Sequence, residues 1–276
     1  MTTASTAPTQ ATRSSFYAGM RVLPKDERYA MYAVYDFCRF VDDIADDQHG
    51  DRAARKIELD AWRADIDALY EGRDPGRAAF LKEAVHRFAL DRADFIAVID
   101  GMAIDVAQDV RWPTEAELDT YCDHVASAVG RLSVKIFGMD DEPGLALAYH
   151  LGRALQYTNI LRDIDEDAAI GRVYMPLEAL RHAGIEPTTP EAIVTDPRMD
   201  AAARRVAARA QQHYKEAAAI LAAKPKGHLI APRLMEIAYS RMLRTMERIG
   251  WAPPRERVST NKLGLLLTVF WLLATR

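Results

Sequence analysis

Residues 31–47 read MYAVYDFCRFVDDIADD, a run with helical spacing of apolar residues and a narrow acidic stripe. With an α-helix turning by about 100° per residue, Arg39, Asp42 and Asp46 fall at roughly 40°, −20° and 20° from Tyr35. Met31, Val34, Phe37, Phe40, Val41 and Ile44 make up the greasy remainder. Asp43 and Asp47 fall well off the stripe and are expected to face solvent. Two carboxylates one turn apart on an exposed helix are ordinary surface chemistry. Here they interrupt an apolar helix, which calls for a ligand.

A second stretch repeats the arrangement. Residues 156–167 read QYTNILRDIDED, and Gln156, Asn159, Asp163 and Asp167 share an arc of roughly 80° on a helix. Two amides precede two carboxylates. Two acidic faces in one chain point to a cavity they share, with Mg2+ bridging the carboxylates to a diphosphate, because Mg2+ takes oxygen ligands and keeps room for substrate oxygens and water. Arg39, one turn from Asp42, suits the remaining diphosphate oxygens. Arg162 lies to one side of the second stripe, within reach of a phosphate or of Asp165 or Glu166. Arg172 and Tyr174 follow in a Gly171-Arg172-Val173-Tyr174 turn.

Around these motifs the 276-residue chain is 49% hydrophobic, enough for a substantial core, and apolar residues recur at helical spacing almost throughout. The spacing predicts an all-α domain with helices at 26–47, 51–71, 76–89, 92–108, 115–137, 143–168, 199–222, 229–249 and 261–274. Pro24, Pro75, Pro113 and Pro143 fall at or just before helix starts. Residues 184–197, with three prolines and no period, are expected to be a surface loop. Residues 1–14 are small and polar, a disordered lead without the apolar segment of a secretory signal, ahead of one domain over 15–276.

Residues 263–274 (LGLLLTVFWLLA) are too few to span a bilayer. They are expected to form a last core helix, with Trp271, Lys262 and Arg276 keeping membrane contact as the alternative. A net charge of −4 leaves no footprint for nucleic acid. Cys38 and Cys122 sit in apolar helical contexts and read as buried free thiols. Tyr121 opens a helix whose Ala126, Val129, Gly130 and Ser133 form a small-residue track. That track serves close helix packing, a groove for a long isoprenoid tail with Tyr121 at its polar mouth, or both. His86 follows Glu83 in a Glu-x-x-His, but a di-iron bundle needs two such pairs, so a surface histidine is expected. There is no Walker loop, His-Glu-x-x-His or Gly-x-Gly-x-x-Gly, hence no dedicated nicotinamide domain.

Taken together, Ser15-Phe16-Tyr17, the Tyr35/Arg39/Asp42/Asp46 stripe, Tyr121, the Gln156/Asn159/Asp163/Asp167 stripe and Gly171-Arg172-x-Tyr174 resemble the squalene/phytoene synthase family of head-to-head prenyltransferases. The likeness runs from about Ser14 to Val258. Residues 15–47 and 122–138 resemble most the bacterial presqualene diphosphate-forming branch that serves hopanoid biosynthesis. The resemblance implies an all-α isoprenoid synthase fold, a single helical domain around a central cavity, and condensation of two farnesyl diphosphates with release of one diphosphate. It assigns Asp42, Asp46, Asn159, Asp163 and Asp167 to metal, with Gln156 beside them. Tyr35, Arg39, Gln156, Arg162, Arg172, Tyr174, Tyr239 and Arg257 go to diphosphate, Arg257 through a one-residue shift. Tyr121 goes to proton transfer, and Tyr35, Arg39 and Arg162 to the reacting site.

The implied cofactor is Mg2+, with Mn2+ as an alternative and no NADPH. The partners are two prenyl diphosphates. The location is the cytoplasm, with transient peripheral contact at the inner membrane face. Competing expectations are squalene, dehydrosqualene or phytoene synthesis on the same fold, and a non-catalytic helical assembly factor.

Overall fold

The computed structural model describes residues 20–47, 51–259 and 268. The expected lead at 1–14, the Ser15-Phe16-Tyr17 motif and nearly all of the helix expected at 261–274 lie outside the described residues. The elements are α1 (Lys25–Asp46), α2 (Arg52–Tyr70), a 3-10 turn (Gly76–Leu81), α3 (Lys82–Phe88), α4 (Arg92–Ala107), α5 (Glu115–Cys122), a π-turn (Asp123–Ser127) and α6 (Ala128–Ile136). They continue with α7 (Asp141–Arg162), α8 (Ile164–Ala169), α9 (Leu177–His182), α10 (Pro190–Val194), α11 (Met199–Ala222) and α12 (Ile230–Ile249). No strand forms among the described residues; one parallel bridge joins Arg111 to Val173. No helix among them is long and apolar enough to cross a membrane.

The central member is α7, which packs against α5, the π-turn, α6, α11 and α12. Its close approach depends on glycine. A β-carbon at Gly152 would stand 2.8 Å from the Ser127 α-carbon, and one at Gly130 would stand 3.0 Å from the Ala148 α-carbon. On the other side α1 packs on α2, α4 and α6, with Phe37 edge-on to both Trp62 and Phe95 at the centre. Burying such rings supplies roughly 1.5–3 kcal/mol each in area terms.

Three expectations need correction. The single helix expected over 115–137 begins with a Thr114–Glu117 capping box but is broken by the π-turn, where the Ala128 N–H reaches back five residues to the Asp123 carbonyl. The helix expected over 143–168 starts at Asp141 and kinks at Asp163 (φ −104°, ψ 19°). The hydrogen-bond ladder still runs through the kink, from Asp163 N to Asn159 O (2.9 Å) and from Asp167 N to Asp163 O (2.8 Å). Residues 184–197 are not a plain surface loop. Thr189 accepts from the Ala192 N–H to cap α10, and Ile185, Pro190, Ile193 and Val194 are buried. The prolines mark the start of that short helix and conceal its apolar side.

Candidate active site

The last two turns of α1 present the first acidic stripe. Arg39 donates to Asp42 at 2.8 Å and to Asp43 at 2.5 Å. Asp43 is well exposed, as its place off the stripe requires, whereas Asp42 is half-buried. Burial raises the Asp42 carboxyl to about 6, and the neighbouring Asp46 charge adds to the shift while Arg39 opposes it. Tyr35 is half-buried beside Arg39 and Asp42, and burial raises its phenol.

Across from it, the end of α7 and the whole of α8 carry the second stripe. Arg162 pairs with Asp163, one residue on, and not with Asp165 or Glu166. Burial pushes Asp163 up, but Arg162 and Arg257 outweigh it and hold the carboxyl below its usual range. Arg257, expected here only through a shifted match, donates to Asp163 through Nε (2.9 Å) and a terminal nitrogen (2.7 Å). Its Nε also lies 3.2 Å from Glu166. Tyr239 of α12 sits beside Arg162. Asp165 is taken by Arg255.

One arginine joins the stripes, its backbone N–H donating to the Asp167 carbonyl at 2.9 Å while its side chain reaches α1. Arg172, only 6% exposed, donates to Asp46 at 2.8 Å and to the Ala45 carbonyl at 2.9 Å. The loop bearing it is clamped to the 110–112 segment by Val173 N to Val110 O and Trp112 N to Val173 O, both 2.7 Å. Burial, then repulsion from Asp163, raises Asp167 to about 7; Arg172 opposes this, and Asp105 and Asp46 also push it up. The two stripes thus face one polar space, with charges from both felt at one carboxyl.

Asp105, on α4, was not anticipated. It is 5% exposed and accepts from the Tyr121 hydroxyl at 2.9 Å and the Tyr174 hydroxyl at 2.7 Å. The two phenol rings stack with centroids 5.1 Å apart. Burial raises all three groups. Asp109 follows Asp105 by four residues, but α4 ends at Ala107 and Asp109 turns away to pair with Arg52, so Asp105 is not half of a third helical carboxylate pair. Its signal was a charge interrupting DFIAVIDGMAIDVA in a helix otherwise suited to burial.

Below the polar space lies an apolar cavity. Ala126, Val129, Gly130 and Ser133 all line it, as the small-residue track required, with Leu155 at one end and Phe137 at the other. Tyr121 is not among its lining residues. Leu155 adjoins Gln156 and lies one turn before Asn159 on α7, so the cavity wall reaches the start of the second stripe. The remaining side expectations hold except that Cys38 is not fully buried. His86 is exposed, Cys122 is a buried free thiol, and Cys38 is a free thiol only partly covered.

The donors suit a hard divalent cation. The Asn159 Oδ1 atom is buried with no hydrogen-bond partner, an orphan acceptor that a cation would satisfy. The neighbouring donors are carboxylate oxygens, the ligand type of Mg2+ and Mn2+. Among the described residues no three His, Cys, Asp or Glu side chains converge to hold an ion by themselves. A cation here would share its shell with substrate oxygens and water.

Comparison with known proteins finds relatives both by sequence and by fold. The family model for squalene/phytoene synthase matches residues 9–263. A presqualene diphosphate synthase of Zymomonas mobilis subsp. mobilis is 60% identical over 96% of this chain and 91% of its own. One from Rhodopseudomonas palustris is 50% identical over 92% of each chain. The crystal structure of a dehydrosqualene synthase in complex with ligand superposes with a TM-score of 0.77 at 25% identity, covering 95% of this chain and 92% of that one.

Proposed function

The chain belongs to the squalene/phytoene synthase family, and from that premise we propose that it joins two farnesyl diphosphates head to head into presqualene diphosphate, releasing one diphosphate. It is a prenyl-transferring enzyme with the isoprenoid synthase fold. The observation that carries the reading is the convergence of two aspartate stripes, tied by Arg172, above an apolar cavity.

Tail length fits the smaller substrate. From Ala126 to Phe137 the cavity wall runs eleven residues, about 16 Å at helical rise. With C–C bonds of ~1.5 Å, the extended main chain of a farnesyl group is about 14 Å and that of a geranylgeranyl group about 19 Å.

Asp42, Asp46, Asn159, Asp163 and Asp167 would hold the divalent cations, Mg2+ by preference and Mn2+ as an alternative. When bound, these supply positive charge against the leaving diphosphate. Arg39, Arg162, Arg172 and Arg257, with Tyr35, Gln156, Tyr174 and Tyr239, bind and orient the diphosphates, so negative charge developing on the leaving group meets preset donors. The allylic C–O bond of one substrate breaks with its electron pair leaving on oxygen. The C2–C3 alkene of the other attacks the freed carbon. A C–H bond on that carbon then gives its electron pair to close the cyclopropane and its proton to a base. Tyr121, held by Asp105 and stacked on Tyr174, relays that proton to the released diphosphate. Burial keeps its phenol protonated until then. The apolar cavity excludes water, which would quench the cation to an alcohol.

The oily product favours work at the inner face of the cytoplasmic membrane. Flotation with liposomes, with and without residues 263–276, checks that contact.

Purified protein incubated with Mg2+ and each prenyl diphosphate, without NADPH, should yield presqualene diphosphate from farnesyl diphosphate by mass spectrometry. A C40 product from geranylgeranyl diphosphate in preference, or no product from either, overturns the reading. Asp42→Asn and Asp163→Asn should abolish turnover while circular dichroism stays helical; near-native activity in either refutes the metal assignment.

A further inference from the structure

We infer that the side-chain contact between Glu27 and His228 shuts the far end of the apolar cavity and so sets the longest prenyl tail admitted, an assignment that rests on the prenyl-transfer reading above. His228 Nδ1 lies 2.7 Å from Glu27 Oε1. Glu27 belongs to the first turn of α1, at the end opposite Asp42 and Asp46. Met31 follows it by one turn on the same face. Ala231 and Pro232 follow His228 by three and four residues. All three are lining residues, so the pair stands just beyond the last ring of the wall.

The connection that carries His228 is pressed onto the same end of the cavity. Its N–H donates to the Phe137 carbonyl at 2.8 Å, and Phe137 is itself a lining residue. Gly227, at φ +120°, lies so close that a β-carbon would stand 2.7 Å from that carbonyl. The start of α12 does not join the main core evenly. Ile230 and Leu234 form a separate small cluster with Val22 and Ile237. The Glu27–His228 pair and the His228–Phe137 bond are therefore polar ties that hold this end shut.

Stability alone is a poor account of the pair. Glu27 is only 14% exposed, and its second oxygen, Oε2, is buried without a partner. A half-satisfied buried carboxylate is costly, and apolar residues of similar size usually serve packing as well or better. Its position as an end-stop explains why it is tolerated.

The test is the ratio of kcat/KM for geranylgeranyl diphosphate to that for farnesyl diphosphate. In His228→Ala, and in the double variant Glu27→Ala/His228→Ala that strands no carboxylate, the ratio should rise about tenfold or more, the scale on which apolar pockets discriminate size. His228→Gln, whose amide can still donate to Glu27, should keep the wild-type ratio. General loosening lowers both constants and leaves the ratio unmoved; an unmoved ratio in both variants, or an equal rise in His228→Gln, overturns the inference. Failure of the wild-type protein to use farnesyl diphosphate would instead overturn the reaction assigned above, so the two failures are distinguishable.

Discussion

Replacing Arg172 by methionine tests whether one guanidinium holds the two acidic stripes together. The side chain is buried, bridges Asp46 and the Ala45 carbonyl, and offsets charge at Asp105 and Asp167. Removing one partner of a buried ion pair costs about 3–5 kcal/mol. Asp46 is 55% exposed, so water takes over part of its solvation and the lower figure of about 2–3 kcal/mol applies. At about 2–4 °C per kcal/mol for a chain of this size, Tm should fall by about 4–12 °C. Loss of a preset donor to the leaving group should lower kcat by about 10²–10³. Arg172→Lys keeps the charge but cannot reach carboxylate and carbonyl together; it should recover much of the Tm and little of the kcat. Diphosphate release from farnesyl diphosphate and thermal melts give both readouts. A cycle with Asp46→Asn isolates the coupling. An Arg172→Met protein within about threefold of wild-type kcat, melting at the wild-type temperature, refutes the bridging role.

Asp105→Asn keeps shape but removes the charge that both phenols address; kcat should fall about 10–100-fold while Tm holds or rises, and unchanged kcat would count against a role in positioning Tyr121. Gly152→Ala drives a β-carbon into the Ser127 backbone and should cost about 1–3 kcal/mol; a raised Tm would mean the α7 crossing has slack. Burial, with His150 adding to it, lowers His213 to about 4. The unfolded chain therefore binds a proton that the fold refuses, and stability is lost as pH falls from about 6.5 toward about 4, by about 1–2 kcal/mol after allowing for partial exposure. His213→Gln should flatten that acid limb in melts at pH 7.5 and 5; an unaltered limb refutes it.

The long helices and both aspartate stripes were legible because burial imposes a 3.6-residue period and each carboxylate pair breaks it visibly. What escaped was whatever leaves that period intact or depends on distant partners. A π-turn adds one backbone residue without changing composition, so 115–137 read as one helix. Asp105 acquires meaning only from phenols sixteen and sixty-nine residues away. Arg162 offered several acids along its helix, and local spacing favoured Asp165 or Glu166 over the adjacent Asp163 that the kink presents. The short helices α9 and α10 lie in segments whose prolines outweighed their few apolar residues.

The π-turn also decides where this stretch of chain can change in length. Tyr121 before it addresses the aspartate chamber, while Val129, Gly130 and Ser133 after it address the tail cavity. The π-turn holds one residue more than a regular spiral needs, so losing one there would restore an α-helix with the downstream face kept, whereas losing one from α5 or α6 would swing everything beyond it by about 100°. A codon lost within the π-turn should therefore be absorbed far more readily than one lost on either side of it.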